Sequence, residues 1–213
     1  MTHVVAPAPE AGSKPAQILE AAGRLFLEAG YGAVSMDTVA RTANVSKATL
    51  YAHFRSKEEL FAAMVACECR DHMASLSSQE VGRLAVPEAL RQIGRRFLAL
   101  VLSPKALAGY RMVIGESPRF PELARAFYLS GPARSLDQMT AFLADADHRG
   151  RLRVADPRRA AERFLVMLKG DLHLRLLLGM REPPTPEEID AQVEATVAFF
   201  LAAHGVGDAG PAG

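Results

Sequence analysis

The chain has 213 residues, enough for one large domain or for a small domain joined to a larger one. Hydrophobic residues make up 49% of it and its net charge is +1, which argues against a disordered chain and against a generic polycation. Any affinity for nucleic acid must therefore come from a local basic patch.

Helical periodicity and helix-capping residues predict an all-α fold. Pro15 and Gly30 bound a first helix, and two short helices over 36–43 and 47–53 follow, capped by Ser35 and Ser46. A long fourth helix begins after Ser56, where SKEE matches a capping box, and extends into the seventies. Further helical stretches are predicted at 86–102, 104–117, 120–148, 157–179 and 186–204. Gly131-Pro132 either kinks the 120–148 helix or splits it in two.

These elements suggest a small helical head followed by a larger helical body. Residues 15–60 form the predicted head and residues 61–204 the body, while 1–14 and 205–213, rich in Pro, Ala and Gly, are predicted to be disordered tails. The sequence has no apolar run of transmembrane length and no apolar signal core, so we expect a cytoplasmic protein with no membrane partner.

The short second and third helices have the pattern of a helix-turn-helix. Val39, Ala40 and Leu50 fall on their inward faces, and the small alanine lets the helices cross closely. Asn44 occupies the turn, where a positive φ is tolerated by Asn better than by other residues except Gly.

The outward face carries cations, hydroxyls and small groups, which suit duplex DNA. Residues 38–57 contain four basic residues and no acid. Near the start of the recognition helix, Lys47 and Thr49 are expected to reach base edges and Ala48 a thymine methyl group. The remaining candidates are expected to contact the DNA backbone. They are Thr38 and Ser46 from the flanks, Tyr51 and His53 on phosphate oxygens, and Lys57 beside a phosphate at the N-terminus of the fourth helix. The alternative is a three-helix packing unit with a solvated basic face.

The same residues resemble the DNA-binding domain of the TetR/AcrR family of one-component regulators. The shared motifs are Phe26-Leu27-Glu28-Ala29-Gly30-Tyr31, Thr38-Val39-Ala40, Val45-Ser46, Thr49-Leu50-Tyr51, Phe54 and Lys57-Glu58-Glu59-Leu60. At Asn44 and Ala48 the family often has Gly, which leaves the operator sequence open.

The C-terminal body resembles the AefR-like branch of that family. The residues concerned are Arg111-Met112-Val113-Ile114-Gly115-Glu116, Arg119-Phe120-Pro121-Glu122-Leu123, Gly131-Pro132 and Gly150-Arg151-Leu152. The resemblance implies a homodimeric repressor in which a small molecule bound to the body changes the separation of two reading heads. Two-fold symmetry would place the recognition helices about 34–36 Å apart, or somewhat more, on a pseudo-palindromic operator.

The last two predicted helices carry more apolar surface than one helix pair usually buries alone, which favours a four-helix interface with a second copy over an ordinary monomer core. An effector pocket between body helices would suit an apolar or aromatic molecule. Its candidate lining is Phe97, Val101, Tyr110, Met112, Phe127, Met139, Phe142, Met167 and His173. For each of these residues taken alone, an ordinary core position is the simpler interpretation.

No metal-ligand cluster, nucleophile motif, phosphate loop or paired-carboxylate signature occurs in the sequence, so we expect no cofactor, no metal and no enzymatic activity. Two other hypotheses stay open. One is a small-molecule scavenger with a vestigial head, which would bind ligand without DNA. The other is a helical enzyme whose site is assembled from scattered helices.

Overall fold

The computed structural model describes residues 9–10, 12–73 and 84–205, and across these ranges the regular secondary structure is helical. This confirms the all-α prediction. Within the described ranges, the only β contact is one isolated bridge between Leu152 and Gly205. The helices are α1 Lys14–Ala29, α2 Met36–Thr42, α3 Lys47–His53, α4 Lys57–Met73, α5 Val86–Val101, α6 Pro104–Glu116, α7 Pro121–Ser130, α8 Pro132–His148, α9 Pro157–Leu177 and α10 Pro186–His204.

The helix ends follow local capping chemistry. Ser13 caps α1 through Oγ, which accepts from the N–H of Ala16, so the helix begins one residue before the predicted Pro15. Gly30 ends it with φ 82°, a left-handed conformation that suits glycine. Residues 1–8, 11 and 206–213 of the predicted tails lie outside the described residues, as does the predicted extension of α4 beyond residue 73 into the late seventies.

The fold comprises two compact units, each with its own core. The first, which we call the head unit, consists of the described residues of Met1–Asp71 and Ala108–Pro132. In it α1, α2 and α3 pack on one another, and the buried core includes Ile18, Phe26 and Leu50. The unit also takes in helices beyond residue 60, and the predicted domain boundary at that residue stays a prediction.

The second, the body unit, consists of the described residues of His72–Leu107 and Ala133–Gly213. Helices α5, α9 and α10 pack on one another, with Gly94 of α5 close to Leu168 and Val193. Three ion pairs also join α5 to α10: Arg91–Glu194 at 2.8 Å, Arg95–Asp190 at 2.6 Å and Arg95–Glu194 at 3.8 Å.

Two breaks interrupt the long predicted helices. Gly131 separates α7 from α8, so the 120–148 stretch is split in two rather than kinked. The predicted continuous helix over 157–179 is wrong at Gly170, which has φ 48° and ψ −154°. A regular helix would pair the Met167 carbonyl with the N–H of residue 171. Here that carbonyl accepts from Nε2 of Gln192 on α10, at 2.8 Å.

In the described part of the chain, no single helix is both long enough and apolar enough to cross a membrane. The bent pair α5 and α6 meets that test together, by length and composition alone.

His173, buried on α9, makes the stability of the fold pH-dependent. Burial, and secondarily the charge of Lys169, lowers the pKa of His173 from 6.5 to about 4. The unfolded chain therefore takes up a proton below pH 6.5 that the folded chain refuses. We expect the free energy of unfolding to fall by at most about 1.4 kcal/mol for each pH unit between 6.5 and 4.

Denaturant titrations across this pH range would measure the effect, and His173→Gln should flatten the decline. His148→Gln, which changes an exposed histidine at the end of α8, is the matched control. An equally steep decline in His173→Gln would contradict the assignment.

Candidate nucleic-acid interface

Two serines start the two helices of the helix-turn-helix in the same way. Ser35 Oγ accepts from the N–H of Thr38 at 3.1 Å and lies 2.9 Å from its hydroxyl. Ser46 Oγ accepts from the N–H of Thr49 at 3.0 Å and lies 2.8 Å from its hydroxyl. Each cap satisfies a backbone donor at a helix start and fixes the orientation of a threonine hydroxyl at the candidate DNA surface.

The turn between the helices has the predicted conformation. Asn44 has φ 51° and is the one non-glycine residue with positive φ in the described ranges. The chain reverses tightly there, because the N–H of Val45 donates to the carbonyl of Ala40 at 3.0 Å.

The inner face of the motif is buried as predicted. Val39 and Leu50 are fully buried, and Ala40, Ala43 and Phe54 are nearly so. Because this face is fixed in the core, the opposite side of α3 must face outward.

The predicted DNA-contacting residues divide by exposure. Those on the outer side of α3 and its cap are exposed: Ser46, Lys47, Ala48, Tyr51 and His53. Those held by the serine caps or by the core are half-buried: Thr38, Thr49 and Lys57. The exposed set forms one continuous surface, which we call the α3 ridge.

An acid that sequence reasoning missed lies beside this ridge. Asp37, in the first turn of α2, contacts Nζ of Lys47 through Oδ2 at 2.6 Å. It immediately precedes the acid-free window 38–57, so counting charge within that window overstated the charge available to DNA.

Lys57 has an intramolecular role that the sequence did not indicate. Its ammonium donates to the carbonyls of Tyr31 and Val34, at 2.9 and 3.0 Å, and lies 4.2 Å from the centroid of the Tyr31 ring. Burial lowers the pKa of Lys57, although neighbouring acids, Glu58 first, oppose that shift. These contacts explain why a cation lies at the N-terminus of α4 without any need for DNA. The predicted contact of Lys57 with a phosphate stays a prediction.

The start of α4 also differs in detail from the predicted capping box. Ser56 Oγ accepts from the N–H of Glu59 at 3.1 Å, as expected. The Glu59 carboxylate, however, reaches back to the N–H of Arg55 at 2.8 Å rather than to that of Ser56.

The candidate effector-lining residues are divided between the two units. In the body unit, Phe97, Met139 and His173 are buried, and Val101, Phe142 and Met167 pack against the core. In the head unit, Met112 and Phe127 pack against the core, and the Phe127 ring meets that of Tyr110 edge-on at 5.2 Å. Their role in binding an effector stays a prediction. Among the described residues, no group of histidine, cysteine and acidic side chains is arranged to hold a metal ion.

Two family models match the chain. Residues 18–64 match the model described as bacterial regulatory proteins, tetR family. Residues 88–206 match that of the AefR-like transcriptional repressor, C-terminal domain. Both resemblances deduced from the sequence are confirmed.

Solved structures share the fold over nearly the whole chain. The flavonoid-responsive regulator FrrA is 41% identical with a TM-score of 0.75, over 92% of this chain and 100% of FrrA. A TetR-family transcriptional regulator from Mesorhizobium loti is 30% identical with a TM-score of 0.78, over 91% of this chain and 97% of that one.

Curated relatives match over a shorter stretch. The HTH-type transcriptional regulator YhgD of Bacillus subtilis is 57% identical over 44 residues, 21% of this chain and 23% of YhgD. IcaR of Staphylococcus aureus, the negative regulator of the biofilm operon icaADBC, is 37% identical over 60 residues, 28% of this chain and 32% of IcaR. These alignments span about a quarter and a third of the curated relatives. The matched proteins are transcriptional regulators, which confirms the expectation of a regulator rather than an enzyme.

We expect Lys57→Met to destabilise the head unit by about 1–3 kcal/mol, because two backbone carbonyls and a ring face lose their cation. Chemical denaturation followed by circular dichroism would measure this. Lys47→Met is the control, since its exposed ion pair should contribute under about 1 kcal/mol. Equal losses in the two variants would refute the role given to Lys57.

Proposed function

The chain belongs to the TetR family of bacterial transcriptional regulators, and on that premise we propose that it is a repressor that binds a pseudo-palindromic operator and is released by a small molecule. The observation that carries the proposal is the α3 ridge, which is exposed along one side of a helix whose other side is fixed in the core. An α-helix presented in this way fits the major groove.

The proposed contacts of the α3 ridge and of the two half-buried threonines beside it divide by chemistry. Lys47 and Thr49 in the first turn of α3 are proposed to reach base edges, with the methyl group of Ala48 against thymine. Tyr51 and His53 further along the helix, with Ser46 and Thr38 at the flanks, are proposed to contact the sugar-phosphate backbone. The Thr38 and Thr49 hydroxyls are already oriented by the serine caps, so little side-chain freedom is lost on binding.

We further propose that two copies pair through α9 and α10. Large apolar side chains are unusually exposed on and just after these helices: Val166 at 62%, Leu174 at 54%, Leu178 at 63%, Met180 at 69% and Phe199 at 66%. A monomer in water rarely leaves such a set uncovered, and a second copy would bury it in a four-helix interface. Pairing also supplies the two-fold symmetry that a pseudo-palindromic operator requires.

The effector is proposed to be an apolar or aromatic small molecule bound among helices of the chain. FrrA, which shares the fold over the whole of its length, is described as flavonoid-responsive, which is compatible with an aromatic effector here. A regulator of this kind would act in the cytoplasm, where the operator lies.

Lys47→Ala and Tyr51→Ala should each weaken binding to DNA fragments that flank the protein's own gene. Each substitution removes a phosphate or base contact, which we expect to cost about 1–3 kcal/mol in affinity. Titration by fluorescence anisotropy at several salt concentrations would measure this. Lys105→Ala in α6, outside the helix-turn-helix, is the control.

Absence of a salt-sensitive complex with any such fragment would reject DNA binding. It would favour a ligand-binding protein with a vestigial head if small-molecule binding persisted.

Phe199→Asp and Val166→Glu should convert the proposed dimer to monomer, because each buries a charge in an apolar interface. Light scattering after size-exclusion chromatography would report the mass, and operator affinity should fall with it. Leu129→Glu, a similar change at an exposed leucine of α7 in the head unit, should leave the mass unchanged. Dimers that persist in both α9 and α10 variants would place the interface elsewhere.

A further inference from the structure

Asp37 and Lys47 join the starts of the two helices that make up the helix-turn-helix. Their side chains remain 55% and 66% exposed, and their charged atoms lie 2.6 Å apart. Asp37 lies in the first turn of α2, and Lys47 is the first residue of α3. The carboxylate is thus part of the surface proposed to face DNA.

The helix dipoles have opposite effects on Asp37 and Lys47. An acid in the first turn of α2 is favoured by the positive end of that helix dipole, whereas a lysine at the start of α3 is disfavoured by the equivalent end of its own helix. The Asp37 carboxylate offsets that repulsion and holds the ammonium at a defined position. Otherwise the flexible four-carbon stem of Lys47 would leave the ammonium free to sample many positions.

The ion pair contributes little to folding, because exposed pairs of this kind typically stabilise a protein by under about 1 kcal/mol. Its expected effect on DNA binding is similar in energy but differs between specific and random DNA. A free lysine ammonium pairs with any phosphate, and such contacts supply most sequence-independent affinity. A lysine already paired with a carboxylate gains less from a phosphate, and the nearby carboxylate repels the phosphate as well.

We propose that Asp37 is a specificity-determining residue that acts through Lys47. It keeps the Lys47 ammonium directed at base edges and away from the phosphate backbone, which lowers affinity for random DNA more than affinity for the operator. This inference rests on the proposed DNA-binding function of the α3 ridge.

Guanine provides the expected partner for the directed ammonium, since its N7 and O6 are both acceptors in the major groove. The Lys47 ammonium therefore complements guanine in both charge and hydrogen-bonding capacity, and Asp37 acts only by directing that ammonium.

A double-mutant cycle tests the proposal with wild type, Asp37→Ala, Lys47→Ala and the double variant. The wild-type protein is first used to select its preferred duplex from a random pool. The affinity of each protein is then measured for that duplex and for a random duplex of equal length. Glu20→Ala removes an exposed acid of α1 and is the matched control for net charge. Asp37→Asn keeps the size of the side chain, and thermal unfolding confirms that each variant folds.

Asp37→Ala should raise affinity for the random duplex about fivefold for each head that contacts it, from the energy of one surface pair, and change affinity for the selected duplex by under about twofold. The salt slope on random DNA should steepen by about 0.9 for each head, the value for one added phosphate contact. Asp37→Asn should shift the affinity for each duplex in the same direction as Asp37→Ala does. Glu20→Ala should not change the ratio of the two affinities, and neither should Asp37→Ala in the Lys47→Ala background.

The inference is overturned if Asp37→Ala leaves the ratio of the affinities for the selected and random duplexes unchanged. It is also overturned if Asp37→Ala lowers that ratio equally in the Lys47→Ala background. The proposed DNA binding would stand in both cases. Failure of the wild-type protein to enrich any duplex overturns the proposed function itself, and the inference with it.

Discussion

The head unit depends on the burial of one phenol. The Tyr31 ring is fully buried, and its centroid lies 5.4 Å from that of Phe26 and 5.4 Å from that of Phe120. Its hydroxyl donates to Glu58 at 3.0 Å, and the Lys57 ammonium lies over its face. Burial, then the hydrogen bond to Glu58, raises the pKa of Tyr31, so the phenol stays protonated and remains a donor. This single side chain therefore connects α1, α4 and the start of α7.

That connection sets where the candidate DNA surface can lie. Tyr31 follows the C-terminus of α1, and the loop after it leads directly into Ser35 and α2. The Glu116 carboxylate of α6 accepts from the N–H of Gly32 at 3.2 Å, so the loop is held from a second side. With the loop fixed, the serine caps and the buried face of the helix-turn-helix leave α3 one orientation, with its cationic side outward. A rigid reading helix needs little ordering when it meets a groove.

In the body unit, a break at Gly170 shapes α9, one of the two helices proposed to pair with a second copy. At Gly170 the backbone adopts a conformation closed to residues with a Cβ, and Gln192 satisfies the carbonyl that the break would leave without a partner. The break changes the direction of α9 between Val166 and Leu174, two of the exposed apolar residues of the proposed interface. The shape of that interface is thus set by one glycine and one side-chain amide.

The sequence by itself determined most of the helices, the caps at Ser35 and Ser46 and the positive-φ turn at Asn44, because these depend on residues within one helical turn of each other. It also determined which side of α3 is outward, since the apolar period of a short helix leaves little choice. Only the tertiary structure decided the pairing of Asp37 with Lys47, the capture of the Lys57 ammonium by two carbonyls, and the break at Gly170. Each of these depends on an atom ten or more residues away, on another helix or loop, and no local pattern encodes that distance.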